Sequence, residues 1–143
     1  MPLWNIYCPE GTYSAEDKRA LADRITDLYA EFGLPRFYVN VMFNEIGSDS
    51  CYIGGEPADD FVRISIDQIA RGVPEDLAAW WMKRIRKTMA PFVTERGLRW
   101  EVHVDGTPVE LWMIDGYFPP PEGSEDEKRW AGENKPSELV GSG

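Results

Sequence analysis

The feature that most constrains the fold is a strand–helix–strand pattern that occurs twice along the chain. In the first copy, a strand over 3–8 precedes apolar residues at helical spacing and an alternating strand over 37–45. In the second copy, an alternating strand over 62–67 precedes another helix and a strand over 98–104. Two such units imply a mixed sheet with both helices on one face. The expected fold is therefore α/β, built from duplicated β-α-β units.

Both helices carry signals for their ends. Ser14 precedes Asp17 by three residues, which is typical of a capping box, and Gly33 follows the last apolar residue of the first helix. Pro74 suits the first turn of the second helix, and Pro91 is expected to end or kink it. The apolar positions are Leu21, Ile25, Leu28 and Phe32 in one helix and Leu77, Trp81, Ile85, Met89 and Phe92 in the other. This spacing gives each helix one apolar face.

One face of the predicted sheet is left without a helix. Alternation along 37–45 places Tyr38 and Met42 on this uncovered face. Large apolar groups in such a position indicate that the face is buried in an oligomer.

The last part of the chain differs in composition from the repeated core. Three consecutive prolines indicate an extended linker, and Ser124 followed by Glu127 predicts a short helix through Trp130. We expect a β-α-β domain over 1–116 and a tail over 117–143, with the tryptophan docked on another surface. The final Gly-Ser-Gly resembles a leftover cloning linker.

The charge balance argues against polyanionic partners. Lysine and arginine total 15 and aspartate and glutamate total 25, so the formal net charge is −10. Such a field repels DNA, RNA and anionic membrane surfaces. We therefore expect no nucleic-acid partner and no membrane partner.

Signals for targeting and for metal binding are missing from the sequence. The first thirty residues hold no apolar signal core, and no apolar run is long enough to span a bilayer. Cys8 and Cys51 form no CxxC pair, and His103, the one histidine, cannot supply a zinc-binding set. The sequence predicts a soluble, reduced, metal-free protein of the cytoplasm.

Pro2 is the first candidate for chemistry, because a small second residue allows the initiator methionine to be removed. The new terminus would be a secondary amine, and an α-amino group has a pKa of about 8. Burial beside apolar side chains such as Trp4 would lower that pKa and make the amine a general base near neutral pH. Without that lowering, the same group would act as a general acid.

Four further side chains are candidates for a binding site. Arg71 stands at a strand-to-helix junction, where its guanidinium either binds a substrate carboxylate or remains solvated, and Arg63 is the reserve carboxylate binder. His103 lies on the polar face of its strand and can donate a hydrogen bond to an enolate oxygen. Tyr29 lies on the flank of the first helix, where it either packs in the core or reaches a polar pocket.

Three segments together resemble the tautomerase superfamily. They are Met1–Trp4, Ala22–Asp27 and Val39–Glu45, and the likeness extends from Pro2 to Gly116. It is closest to the cis-3-chloroacrylic acid dehalogenase branch and its oxalocrotonate tautomerase relatives. The resemblance implies a β-α-β repeat fold, a homotrimer, no cofactor, and a catalytic amino-terminal proline that corresponds to Pro2.

The other functional residues of the dehalogenase have counterparts at only some positions of this sequence. Its helix histidine falls on Tyr29, one of its two carboxylate-binding arginines matches Arg71, and the second has no arginine counterpart at positions 67–68. Its fourth-strand tyrosine falls on His103, and its late glutamate most nearly matches Glu110. These differences favour a tautomerase-like reaction over dehalogenation.

The residues and the resemblance together favour an enzyme that acts on a small keto or unsaturated carboxylic acid. Pro2 would move a proton between carbon and oxygen while Arg71 binds the carboxylate. His103 or Tyr29 would stabilise the enolate. A variant uses protonated Pro2 to assist hydration, dehalogenation or decarboxylation. Two rivals are a non-catalytic binding or signalling protein with the same fold, and an oligomeric scaffold that keeps Met1.

Overall fold

A four-stranded mixed sheet with two helices on one face forms the body of the chain. The computed structural model describes residues 1–69 and 75–141, so Arg71 and Pro74 lie outside the described residues. The elements in chain order are β1 Leu3–Pro9, α1 Ala15–Ala30, β2 Asn40–Ile46, β3 Tyr52–Ile53, β4 Glu56–Pro57, β5 Phe61–Ile69, α2 Ala78–Met89, β6 Arg99–Thr107 and α3 Glu125–Glu133. The order of the main sheet is β2-β1-β5-β6, and its β1–β5 pair is antiparallel between two parallel pairs. This topology confirms the predicted duplicated β-α-β fold.

Alternation along the strands sends the apolar side chains to the helix-covered face. Trp4 and Ile6 of β1 are fully buried there, as are Val62, Ile64 and Ile66 of β5. The helices cover them with Leu21, Ile25 and Leu28 from α1 and Trp81, Ile85 and Met89 from α2. Each fully buried aliphatic side chain contributes about 1.5–3 kcal/mol. The core therefore lies between the sheet and these two helices.

A capping box stabilises the start of α1, as the sequence predicts. The Ser14 hydroxyl accepts a hydrogen bond from the Asp17 backbone N–H (3.0 Å), and the Asp17 carboxylate accepts one from the Ser14 N–H (3.1 Å). Arg96 donates two further hydrogen bonds to Asp17, and they are the main reason that the pKa of this carboxyl is lowered to about 2. None of the helices in the described part of the chain is both long and apolar enough to cross a membrane.

The second predicted strand begins later than expected, because a short 3₁₀ turn over Arg36–Tyr38 precedes β2. The expectation that Tyr38 lies on the uncovered sheet face is wrong, since only 1% of it is exposed. Pro35 fixes the backbone entering the turn, and the turn directs the Tyr38 ring against Trp130, with 6.3 Å between ring centroids. Met42 is 53% exposed, as expected for the uncovered face.

The tail forms the predicted short helix and docks on the body of the same chain. The Ser124 hydroxyl caps α3 by accepting from the Glu127 N–H (3.2 Å). Trp130 is 0% exposed, contacts the rings of Phe37 and Tyr38, and donates from Nε1 to a backbone carbonyl of the tail. This packing brings the tail to the end of the sheet where the chain begins.

Asp126 of α3 binds the last described residues of the chain through hydrogen bonds. Its carboxylate accepts hydrogen bonds from the backbone N–H groups of Val140 and Gly141, each at 2.9 Å, and from Arg129 (2.6 Å). The two backbone bonds are the main cause that lowers the pKa of this carboxyl. The tail is thus closed on itself around a buried carboxylate.

Candidate active site

A cavity of about 360 Å³ lies beside the start of β1, where α1, α2 and the tail come together. Its volume is within the range of about 300–1,000 Å³ that is usual for small-molecule sites. The lining residues are Met1, Tyr29, Phe32, Leu34, Tyr38, Gln68, Ile69, Leu77, Trp80, Trp81 and Glu122. Phe32 and Leu77, which the helical spacing predicts to be core residues, are about half exposed and line this cavity. The walls are thus mostly aromatic and aliphatic.

The amino terminus of the chain lies in the cavity wall. Met1 is buried against Tyr38 and Trp130 and lines the cavity. The Pro2 carbonyl accepts a hydrogen bond from the Asn40 N–H (3.0 Å), which extends the pairing of β1 with β2. The antiparallel register of β1 and β5, continued by one residue, places buried Pro2 opposite Gln68. Loss of Met1 would therefore put a proline amine where the cavity wall now stands.

Tyr29 lies in the last turn of α1, and its hydroxyl is at the centre of a buried hydrogen-bond chain. It accepts from Trp4 Nε1 (3.0 Å) and donates to Gln68 Oε1 (3.1 Å). Burial raises the pKa of Tyr29 well above its usual value. The phenol therefore stays protonated near neutral pH, and it can orient groups in the cavity but cannot act as a base.

His103 and Arg63 lie together on the uncovered face of the sheet. Arg63 Nη2 donates to His103 Nδ1 (2.7 Å), and Arg63 Nε lies 3.1 Å from a carboxylate oxygen of Glu101. His103 Nε2 lies 3.3 Å from Asp105 Oδ2. Strand alternation explains the grouping, since these side chains point away from the buried residues of β5 and from partly buried Val102 and Val104 of β6. They are therefore on the opposite side of the sheet from Tyr29.

The remaining predicted residues lie elsewhere. Glu110 is exposed in a short 3₁₀ turn over Val109–Leu111 and does not line the cavity. Arg71 falls outside residues 1–69 and 75–141, two positions after cavity-lining Ile69 in the sequence. Among the described residues, no group of three or more His, Cys, Asp and Glu side chains is arranged to hold a metal ion.

Of the cavity-lining residues, sequence reasoning had singled out only Tyr29 as a site residue, and it missed Trp81, Gln68 and Glu122 among others. Trp81 has a spacing typical of a core position, and Gln68 is one polar residue at the end of a strand. Glu122 lies in the tail, distant in sequence from the other cavity-lining residues, and no local pattern marks it as a site residue. The available signal was the consecutive pair Trp80 and Trp81, since one helix face cannot bury two neighbouring residues equally.

The family of the chain follows from comparison with known proteins. Residues 1–135 match the family described as "putative oxalocrotonate tautomerase enzyme". The chain belongs to this family, and through it to the tautomerase superfamily that its sequence resembles. No functionally curated protein matches the chain.

Solved structures share the whole architecture. Native RhCC from Rhodococcus jostii RHA1 is 40% identical, with a TM-score of 0.91, and the match covers 96% of this chain and 99% of that one. A probable enzyme from the thermophilic fungus Aspergillus fumigatus is 39% identical, with a TM-score of 0.91 and coverage of 97% and 98%. N1, a member of the cis-3-chloroacrylic acid dehalogenase family, is 22% identical with a TM-score of 0.73, covers 92% and 97%, and shows the shared fold.

Proposed function

We propose that this chain is a cofactor-independent enzyme whose Pro2 amine, freed by removal of Met1, moves a proton on a small keto or unsaturated carboxylic acid. The observation that carries the proposal is the position of Met1 in the cavity wall, directly before a buried proline. Removing that residue enlarges the cavity and leaves the secondary amine at its edge. Membership of a tautomerase family supports the same reaction class.

In the proposed reaction, the neutral amine takes a proton from the carbon next to the substrate carbonyl. The C–H electron pair moves into the carbon skeleton, and negative charge develops on the carbonyl oxygen. Delivery of the proton to that oxygen or to another carbon completes the isomerisation and restores the amine. The apolar surroundings favour the uncharged amine that this step requires, because desolvation disfavours the cation.

The other site residues have proposed roles of different kinds. Arg71 binds the substrate carboxylate through its guanidinium group. Tyr29 orients Gln68 through their hydrogen bond and holds the cavity wall in place. Glu110 is exposed outside the cavity wall, so it has no proposed role in this reaction. Dehalogenation and decarboxylation are further variants that protonated Pro2 would assist.

We also propose that the chain forms a homotrimer through the uncovered sheet face. A solved structure with this fold is described as a fused 4-OT wild-type asymmetric trimer. It is 18% identical to this chain, with a TM-score of 0.67, and the match covers 81% of this chain and 94% of that one. On the same face, Met42 is exposed, and Asn44 Nδ2 is buried with no hydrogen-bond partner within the described parts of the chain. His103 and Arg63 would then lie at the subunit interface. Light scattering of the purified protein measures the subunit number.

Activity of Pro2→Ala against a panel of enolisable keto acids and 3-haloacrylates tests the proposal. Losing the ring amine should lower kcat/KM by about 100-fold or more, which is the usual contribution of a positioned general base. Pro9→Ala, at the far end of the same strand, is the matched control and should keep wild-type activity. Equal activity of Pro2→Ala and wild type would refute the mechanism. Binding of panel members without turnover would favour the binding-protein hypothesis.

A further inference from the structure

A directed series of hydrogen bonds ends at Gln68 in the cavity wall. The Trp4 indole can only donate, and its Nε1 donates to the Tyr29 hydroxyl oxygen (3.0 Å). The Tyr29 O–H therefore points onward and donates to Gln68 Oε1 (3.1 Å). If the Gln68 amide were turned over, this buried O–H would lose its acceptor, which is unfavourable. The series thus fixes Gln68 with its oxygen toward Tyr29 and its Nε2 as the terminal donor.

The Nε2 atom of Gln68 is accessible to a ligand in the cavity. Within residues 1–69 and 75–141 it donates to no acceptor, and, unlike Nε1 of Trp81, it is not enclosed by neighbouring atoms. The side chain lines the cavity and is partly exposed. Its two N–H groups are therefore held in one orientation before a ligand arrives.

The same side chain is the cross-strand neighbour of Pro2. The antiparallel register of β1 and β5, continued by one residue, pairs Pro2 with Gln68. Both residues lie on the helix-covered face, in step with fully buried Trp4 and Ile66. The β carbons of directly opposite residues are about 4.5–5.5 Å apart. A ligand whose reacting carbon contacts the Pro2 nitrogen therefore has its neighbouring oxygen within reach of the amide.

The other polar groups in the described wall do not supply such a donor. The Tyr38 hydroxyl donates to buried Glu127 (3.2 Å), and Nε1 of Trp81 is enclosed within the wall. Trp80 is 44% exposed, and no hydrogen bond within the described residues orients its indole. The Gln68 amide is therefore the donor whose direction the fold determines.

Glu122 of the tail is the one carboxylate among the described lining residues. It is exposed, and within the parts of the chain that the structure describes it accepts no hydrogen bond from Gln68. An ionised carboxyl has no donor to offer a developing oxyanion, and its charge repels one. The oxyanion is therefore expected on the Gln68 side of the cavity, away from Glu122.

We propose that Gln68 is a catalytic residue whose Nε2 donates a hydrogen bond to the carbonyl oxygen of the substrate, with Trp4 and Tyr29 as positioning residues. The proposal rests on the function proposed above and assigns the group that stabilises its enolate. As the Pro2 amine takes the proton from the adjacent carbon, the C–H electron pair forms a C=C bond and the carbonyl π pair moves onto the oxygen. The fixed N–H binds that oxygen more strongly as its charge grows, which lowers the barrier. The proton then passes from Pro2 to the oxygen or to another carbon, so no co-reactant is needed.

Binding of oxalate tests the proposal, because this planar dianion has the adjacent anionic oxygens of a keto acid's enolate and no C–H bond to react. Gln68 is the chain's one glutamine, so its side-chain NH₂ signals in ¹H–¹⁵N spectra of the full chain are assigned by their loss in Gln68→Met. Oxalate should shift these signals in the wild type. Gln68→Met, which keeps the side-chain length and lacks the donors, should bind oxalate about 10- to 100-fold more weakly, the usual effect of losing a hydrogen bond to a charged oxygen.

Acetate and two further variants distinguish a lost donor from a damaged cavity. Acetate has a carboxylate but no adjacent oxygen, so Gln68→Met should bind it as the wild type does. Tyr29→Phe should weaken the binding of oxalate and not of acetate, and adding it to Gln68→Met should weaken oxalate binding no further, because the two residues act through one donor. Glu122→Gln should bind oxalate at least as tightly as the wild type, because a like charge is removed.

The proposal is overturned if oxalate does not bind, if it saturates the protein without shifting the Gln68 signals, or if Gln68→Met binds oxalate as tightly as the wild type. An equal loss of acetate and oxalate binding in Gln68→Met, or weaker oxalate binding by Glu122→Gln, would also contradict it. Selective ¹⁵N labelling of glutamine assigns the same signals if Gln68→Met does not fold. Because oxalate cannot turn over, these results are independent of the Pro2→Ala activity, and either proposal can fail alone.

Discussion

The hydrogen-bond chain from Trp4 through Tyr29 to Gln68 makes a quantitative prediction about the cavity wall. Tyr29→Phe removes one hydroxyl and leaves Trp4 Nε1 buried without its acceptor, while the partly exposed Gln68 can turn to water. Leaving one buried donor unsatisfied costs about 1–3 kcal/mol. At about 2–4 °C per kcal/mol for a domain of this size, the Tm should fall by about 2–12 °C.

Thermal unfolding followed by circular dichroism measures this shift. Tyr52→Phe removes an exposed hydroxyl and should change the unfolding free energy by no more than about 0.5 kcal/mol. Adding Gln68→Met to Tyr29→Phe should cost less than the sum of the single changes, because the two groups share one hydrogen bond. If the Tm of Tyr29→Phe equals that of the wild type or of Tyr52→Phe, the hydrogen bonds from Trp4 through Tyr29 to Gln68 do not stabilise the cavity wall.

Two further predictions concern stability. Trp130→Ala removes a fully buried ring and should lower the unfolding free energy measured in denaturant by about 3–5 kcal/mol. A loss below about 0.5 kcal/mol, which is usual for a surface substitution, would show that the tail is not docked. The Asp17 carboxyl, with its pKa lowered to about 2 mainly by hydrogen bonds from Arg96, stabilises the fold above its ordinary pKa of about 4. This stabilisation is lost as the pH falls from about 4 to about 2, so Asp17→Asn should flatten the dependence of unfolding free energy on pH in that window. An unchanged slope would contradict the assignment.

Much of the fold could be predicted because the relevant signals are local. Period-two alternation in β1 and β5 and helical spacing in α1 and α2 each decide which face is buried. The capping box at Ser14 was readable for the same reason. Tyr38 was misassigned because alternation was continued backward into a turn, where docking of Trp130 decides its position.

The site was predictable only in part, because a cavity is made by residues distant in sequence. Pro2 and Tyr29 were singled out from terminal chemistry and family likeness, and they lie at the same end of the sheet. His103 and Arg63 share a strand face, as alternation requires, but that face is the uncovered one. Trp81 looked like a core residue, and only the packing of α2 beside Tyr29 and Phe32 shows that it also lines the cavity.

The state of the amino terminus decides the central claim most directly, and intact-mass spectrometry of the preparation used for activity assays measures it. The account predicts that active protein is lighter than the full sequence by one methionine, so that it begins with the secondary amine of Pro2. Turnover by protein that keeps Met1 would contradict it, because the nitrogen of residue 2 is then an amide and has no basic electron pair.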